Sequence, residues 1–428
     1  MTGADDLMCR RNAVLAPSYY HSFAAPLHIV RGAGVWMWDA SGKRYLDCYN
    51  NVPSVGHCHP RVTAALTAQA ETLNTHTRYL HDGIVTLAER MLAKLPTAVD
   101  TAAFTCTGSE ANDLALQMAR RFTGAEGVAV FDHAYHGNSA LTLAASPSEY
   151  PASERPDWLC VLEPPNLFRG PYRAGDSKAA EKYLAQAVQA LDALESRGHR
   201  LACLLLDASW DANGPLIAPP GYVSALCDEM RRRGGLIICD EVQAGYCRLG
   251  AHWWGFQDYT VTPDIVTCGK PMGAGHPVAA TFARRDVAQA LADTSVYFNT
   301  FGGNPVSAAV ANAVIDVIED EGLLGNAGRV GAYFRTALAA LQERHPMIGA
   351  VQGAGLFYGL DMVSDRKTRA PFSRDDMARL GSMIAEEGVL TGISGAMGQT
   401  LKLRPPLVFG QEHVDITVAA IDRALTRL

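Results

Sequence analysis

No stretch of the 428 residues stays apolar for eighteen positions, so nothing reads as a membrane-spanning helix. Met1 to Arg10 lacks the basic-then-apolar order of a secretory signal. Charge is sparse: Asp, Glu, Lys and Arg make up 19% and the net charge is −7, which leaves no cationic field for nucleic acid or an anionic membrane. The ten cysteines form no Cys-x-x-Cys pair, and Cys106, Cys203, Cys239 and Cys268 sit inside apolar runs, where cysteine behaves as a small hydrophobe. A reduced, cytoplasmic protein is expected. His57-Cys58-His59 invites a metal, but adjacent ligands on a tight turn rarely converge on one ion and no second cluster accompanies them, so no metal is expected. Arg231-Arg232-Arg233 reads as a solvated helix end before Gly234-Gly235, where cations suit the dipole. Repeats and low-complexity tracts are missing too.

What is present is a hydrophobic share of 48%, enough for a large core spread over two or three domains. Short runs rich in Val, Ile and Leu alternate with helical patterns, which predicts an α/β fold around a mostly parallel sheet. Strands are expected at Ala102–Cys106, Gly127–Phe131, Leu201–Leu206, Leu236–Cys239, Ile265–Cys268 and Pro277–Phe282, with helices such as Ser109–Phe122 and Tyr222–Arg233 between them. Val35 to Trp38, a turn at Asp39 to Gly42, and Arg44 to Leu46 predict a β-hairpin. Pro60 is placed to open a helix. Residues 145–180, rich in Pro, Ser and charge, read as a long loop, and from about Asn326 a C-terminal α+β lobe is expected.

The chemistry centres on Lys270, in Cys268-Gly269-Lys270-Pro271-Met272-Gly273, thirty positions after the apolar run that ends in Asp240-Glu241. Glycines let the backbone approach a ligand closely, and an apolar strand end withholds water and lowers the amine's pKa, which suits covalent capture of a carbonyl cofactor. In isolation such a residue is more often a surface lysine. Thr105-Cys106-Thr107-Gly108-Ser109-Glu110-Ala111-Asn112 joins a strand to a helix and offers either a phosphate cradle or a plain Ser N-cap at Ser109. Asp240 ends a strand, where ligands of parallel sheets gather. Its carboxylate suits a protonated ring nitrogen or a metal. An apolar run followed by Asp-Glu also occurs in nucleotide hydrolases, but the Gly-rich loop ending in Lys-Ser or Lys-Thr is absent. With Tyr135 of His133-Ala134-Tyr135-His136-Gly137 as a stacking face, the set matches the needs of pyridoxal phosphate: an imine lysine, a phosphate anchor, a carboxylate for the pyridine and a ring sandwich.

From about Gly34 to Pro406 the chain resembles the class III aminotransferases, fold-type I pyridoxal-phosphate enzymes, through Asp240-Glu241-Val242-Gln243-Ala244-Gly245-Tyr246-Cys247-Arg248-Leu249-Gly250, Gly269-Lys270 and Thr300-Phe301-Gly302-Gly303-Asn304-Pro305. The resemblance implies a large domain with a mostly parallel seven-stranded sheet (61–325) and a smaller α+β domain built from residues 1–60 and 326–428. It implies that Lys270 forms the Schiff base and moves the proton, Asp240 pairs with the pyridine nitrogen, and Gln243 reaches the ring's 3-oxygen. Gly108 and Ser109 would hold the phosphate. Tyr135 would stack on the ring beside His136, with Val242 on the other face. Thr300 would reach the neighbouring subunit's cofactor, so a homodimer is implied.

Family transaminases usually carry an arginine three residues before a Pro-Pro pair to grip the substrate carboxylate. Here Lys402 stands there, before Pro405-Pro406, and the glutamate that gates that arginine is shortened to Asp207. Arg404 turned inward is the alternative grip. Tyr49-Asn50-Asn51-Val52, Leu73-Asn74-Thr75 with Arg78-Tyr79-Leu80-His81, and Phe168-Arg169-Gly170-Pro171-Tyr172-Arg173 resemble the phospho-lyase branch acting on ethanolamine phosphate and phosphohydroxylysine. That resemblance puts Asn51, Arg78, Tyr79, Arg169, Arg173, Asp207 and Lys402 on the substrate side, the cations among them facing a phosphate. The expected reaction is β-elimination of phosphate from an aminoalkyl phosphate, without a keto acid. Transfer of an amino group to a keto acid, ammonia loss from a hydroxy-aminoalkylphosphonate, and a non-catalytic cofactor scaffold are the alternatives.

Overall fold

The computed structural model describes residues 3–19, 21 and 26–428, so Met1 and Thr2 of the amino-terminal stretch lie outside the described residues. After a helix, Gly3–Val14, come β1 (Ile29–Ala33), β2 (Trp36–Asp39) and β3 (Arg44–Asp47), paired antiparallel in that order. The expected hairpin is β2–β3. Asp39 closes its turn, accepting at Oδ1 from the N–H groups of Ser41 at 2.9 Å and Lys43 at 3.0 Å. Pro60 opens the helix Pro60–Thr72, where its fixed φ suits the first turn.

Seven strands then build the central sheet: β4 (Thr101–Thr105), β5 (Gly127–Phe131), β6 (Leu159–Leu162), β7 (Leu201–Asp207), β8 (Leu236–Asp240), β9 (Ile265–Cys268) and β10 (Ala279–Ala283), in the order β4-β10-β9-β8-β7-β5-β6. Only β10 runs against its neighbours, so β4 points the same way as the parallel set. Both faces are covered: Leu204, Leu206, Ile237 and Cys239 enter one core, and Cys203, Leu205, Leu236 and Ile238 the other. That is why β7 and β8 read as unbroken apolar runs without alternation. The fold class is α/β, as expected. One strand departs from the reading: β6 lies inside the span 145–180 expected to be loop. Its four residues, Leu-Cys-Val-Leu, lie between two proline-containing stretches and pair on one side only, with β5.

After the helix Leu323–Arg344 come β11 (Ile348–Ala354), β12 (Phe357–Asp365), β13 (Ala370–Pro371), β14 (Val389–Leu390), β15 (Gly392–Ser394) and β16 (Thr400–Leu403), with helices Arg374–Glu386 and Gln411–Thr426. β14 pairs parallel with β3, so both ends of the chain share one sheet. The arginine triplet is only partly the solvated end expected. Arg233 is 6% exposed and pairs with Asp192, Glu195 and Glu229, which fastens this helix end to the neighbouring helix Ala179–Ser196. His57 and His59 go to separate acids, Asp47 at 2.7 Å and Glu321 at 3.0 Å.

Candidate active site

The segments that follow β4, β5, β7, β8 and β9 meet at one edge of the sheet, where parallel strands deliver ligand-binding residues. They enclose a cavity of about 330 Å³ lined by Gly108, Ser109, Tyr135, His136, Asp207, Asp211, Asp240, Val242, Gln243 and Lys270, a size in the range of small-molecule sites. Every residue expected to touch the cofactor within one chain is therefore in a single wall. Lys270 borders this space and so is accessible, yet protein surrounds it closely. Burial lowers its pKa first and the Arg404 charge lowers it further, while Asp211, Asp240 and Asp207 pull it back.

Asp240 is buried at the end of β8 and fully engaged: Oδ2 accepts from Asn112 Nδ2 at 2.8 Å and lies 2.8 Å from His136 Nδ1, and Oδ1 accepts from the Val242 N–H at 3.1 Å. Asn112 also donates to the His136 carbonyl at 2.8 Å and accepts from Thr267 Oγ1 at 2.5 Å. It lies four residues beyond Gly108 on the same helix, a spacing that returns to the same face. His136 Nε2 is buried with no hydrogen-bond partner among the described residues. Asp207 is held by Ser209 and the Asp211 N–H. Burial, then the charges of Asp240 and Asp211, raise its pKa to about 6.

Ser109 is not the N-cap. Thr107 caps the helix Gly108–Thr123 in a capping box with Glu110, and this leaves the N–H groups of Gly108 and Ser109 as first-turn donors without an intrahelical acceptor. Ser109 Oγ accepts from the Asn138 N–H at 3.2 Å, so its own hydrogen remains for a ligand. The cradle tolerates no added carbon: a Cβ at Gly108 would stand 2.8 Å from Val242 Cγ2, and one at Gly137 2.6 Å from Ser109 Oγ.

The substrate-side residues disperse. Asn51 is buried away from the cavity wall, donating to Gln243 Oε1 at 3.2 Å and accepting from Arg248 at 2.7 Å; it braces Gln243 and does not face the cavity. Arg169 grips Asp361 of β12, at 2.5 Å and 2.8 Å, and so fastens its loop. Arg173 donates within that loop, to the Phe168 carbonyl. Neither lines this chain's own cavity, where they were expected as phosphate ligands. Arg78 and Tyr79 are exposed: the Arg78 guanidinium covers the Phe298 ring at 3.9 Å, and Tyr79 stacks on His76. Thr300, two residues beyond Phe298, is exposed and lies off this chain's own cavity wall. Lys402 Nζ and Arg404 Nη1 converge on Asp211 Oδ1 at 3.1 Å and 3.3 Å, while Gln243 Nε2 donates to Oδ2 at 2.9 Å. Asp211 forms part of the wall; the two cations stand behind it.

The family model described as aminotransferase class III matches residues 19–425. The chain belongs to the class III aminotransferase family. Over 408 residues, 94% of this chain and 83% of the other, it is 40% identical to an alanine–glyoxylate aminotransferase 2-like protein of Drosophila melanogaster. Over 415 residues (94% and 89%) it is 37% identical to ethanolamine-phosphate phospho-lyase homolog 1 of Caenorhabditis elegans. A solved phospholyase from Arthrobacter in complex with phosphoethanolamine superposes with a TM-score of 0.95 at 38% identity, covering 99% of this chain and 100% of that one. The cofactor of this class III enzyme is pyridoxal phosphate. The residues fit it: a helix start with spare donors and no room for a Cβ receives a phosphate, a three-donor carboxylate faces the cavity, and a depressed lysine borders it. Sequence reasoning missed Thr107, Asn112 and Asp211 as functional. The helical spacing of Gly108 and Asn112 held a signal for the second; Asp211 had none, because its partners are 191 and 193 residues away.

Proposed function

We propose that this enzyme is a phospho-lyase that eliminates phosphate from an aminoalkyl phosphate such as ethanolamine phosphate. The observation that carries the reading is the engagement of Lys402 and Arg404 by Asp211: a transaminase cycling through a keto acid needs an open cation for the carboxylate, and here both are taken. The likeness to the phospholyase solved with phosphoethanolamine supports the same reading.

In this reading Gly108 and Ser109 would hold the cofactor's phosphate, and Tyr135 and Val242 would flank its ring. Asp240, steadied by Asn112 and His136, would pair with the ring nitrogen. Gln243 keeps one amide hydrogen for the 3-oxygen, because its other contacts go to Asp211, Asn51 and Arg404. Bound there, pyridoxal phosphate supplies the electron sink. Lys270, biased by burial toward the neutral amine, takes the proton from the carbon that bears the substrate's amino group. The neighbouring C–O bond breaks and phosphate departs with its electron pair. The enamine left behind takes up water and yields an aldehyde and ammonia.

The departing phosphate needs cations. Of the four expected, Arg169 and Lys402 are paired with acids and Arg173 is tied to its own loop, whereas Arg78 has no acidic partner among the described residues. It lies beside Phe298, two residues from Thr300, and we assign both Arg78 and Thr300 to the neighbouring subunit's site in a homodimer. The 40% identity to a protein named as an aminotransferase favours amino transfer as the second reading. The test is to give the holoenzyme ethanolamine phosphate without a keto acid. Phosphate, ammonia and acetaldehyde should appear in equal amounts; no phosphate release, together with efficient amino transfer to pyruvate, overturns the proposal.

A further inference from the structure

Two buried cations that converge on one oxygen form an anion receptor. Lys402 and Arg404, 8% and 4% exposed, do so on Asp211 Oδ1, and Lys402 pairs with no other acid among the described residues. The other face of the same carboxylate is closed by Gln243 Nε2 at 2.9 Å, and Gln243 is itself held by Asn51 and Arg404. The receptor is thus filled by the chain's own carboxylate, on a loop braced by the bond from the Asp211 N–H to Asp207 at 2.8 Å. Asp211, and neither cation, meets the cavity. A ligand carboxylate approaching that wall finds the point where the two cations converge already filled, and can reach neither without displacing Asp211.

We propose that Asp211 is a specificity-determining residue that occupies the anion seat between Lys402 and Arg404, turning away amines that carry a carboxylate on the amine-bearing carbon and reserving the site for amines that lack one. The proposal deepens the phospho-lyase reading by naming the amines it admits, but its outcome is read separately. It also separates two anion positions: the seat filled by Asp211, and a second one for the substrate's phosphate, to which Arg78 is assigned.

Ethylamine and L-alanine differ only by the carboxylate, and binding of each to the holoenzyme is followed by the change in visible cofactor absorbance. Wild-type enzyme should bind L-alanine at least tenfold more weakly than ethylamine; equal or tighter binding of L-alanine overturns the proposal without any variant. Asp211→Asn and Asp211→Ala should raise the affinity for L-alanine relative to that for ethylamine at least tenfold. Parallel movement of both amines, or no change in either, in a cofactor-loaded variant also overturns it. KM for ethanolamine phosphate should not fall in Asp211→Asn; a tenfold fall would put the phosphate in the Lys402–Arg404 seat and refute the separation of the two positions. Failure of the phospho-lyase reading shows up elsewhere, as absent phosphate release by wild-type enzyme.

Discussion

Replacing Asn112 by Ala removes the amide that donates at 2.8 Å to Asp240 and at 2.8 Å to the His136 carbonyl, leaving two buried acceptors each one donor short. Unmade buried hydrogen bonds cost about 1–3 kcal/mol each, so Tm should fall by several degrees and pyridoxal phosphate should be retained roughly tenfold less tightly. Retention equal to wild type would mean that His136 and the Val242 N–H suffice to position the carboxylate. Lys270→Ala should lose both the bound cofactor's visible absorbance and all turnover. Asp211 carries a pH signature. Burial alone would raise its pKa, but Lys402, Arg404 and Lys270 outweigh it and hold it at about 2, below the ordinary 3.8. A depressed carboxylate stabilises the fold above its unfolded pKa and loses that contribution as pH falls through the folded one. Asp211 should therefore contribute about 2 kcal/mol at pH 5, and the urea-unfolding gap between wild type and Asp211→Asn should shrink by roughly half at pH 3. Lys270 and Asp240 were legible from sequence because strand-end position and side-chain chemistry are both local. Asp211 was not, because its meaning comes from cations on a strand far along the chain.

Strands buried on both faces declare themselves as unbroken apolar runs, and β5 and β9 were legible to the residue while β7 and β8 ran one residue further than read. β6 escaped because an edge strand of four residues carries too little pattern to stand out from a span rich in Pro and Ser. In the loop after it, Arg169 and Arg173 have the charge a phosphate wants, but charge says nothing of partners. Arg169 spends its guanidinium on Asp361, which is only 2% exposed, so its role is to pin residues 166–173 onto β12. Arg169→Ala would leave that carboxylate buried without its cation, held by Gln399 Nε2 at 3.2 Å, a loss of about 3 kcal/mol. The expected outcome is a clear drop in Tm with KM for ethanolamine phosphate changed less than twofold in the folded fraction. A selective rise in KM at unchanged Tm would restore Arg169 to the substrate side.

At the scale of the whole molecule, one chain leaves apolar surface that water does not favour. Leu80 and Val296 are almost wholly exposed, and Tyr79 and Phe301 about two-thirds so, around the Arg78–Phe298 contact and Thr300. A second copy covering this surface would place Arg78 and Thr300 at the neighbour's cavity, as the proposed homodimer requires, and the arrangement can be read from activity alone. Arg78→Ala and Lys270→Ala should each be nearly inactive. If Arg78 serves the neighbouring site, a mixed dimer pairs the intact Lys270 of one subunit with the intact Arg78 of the other and regains one working site. Random exchange makes half the dimers mixed, so co-refolding equal amounts should restore about a quarter of wild-type phosphate release. If Arg78 serves its own subunit, both sites of the mixed dimer carry a defect and mixing restores nothing. Light scattering on the same samples reports the assembly, and a monomeric enzyme would remove the cross-subunit assignment of Arg78 at once.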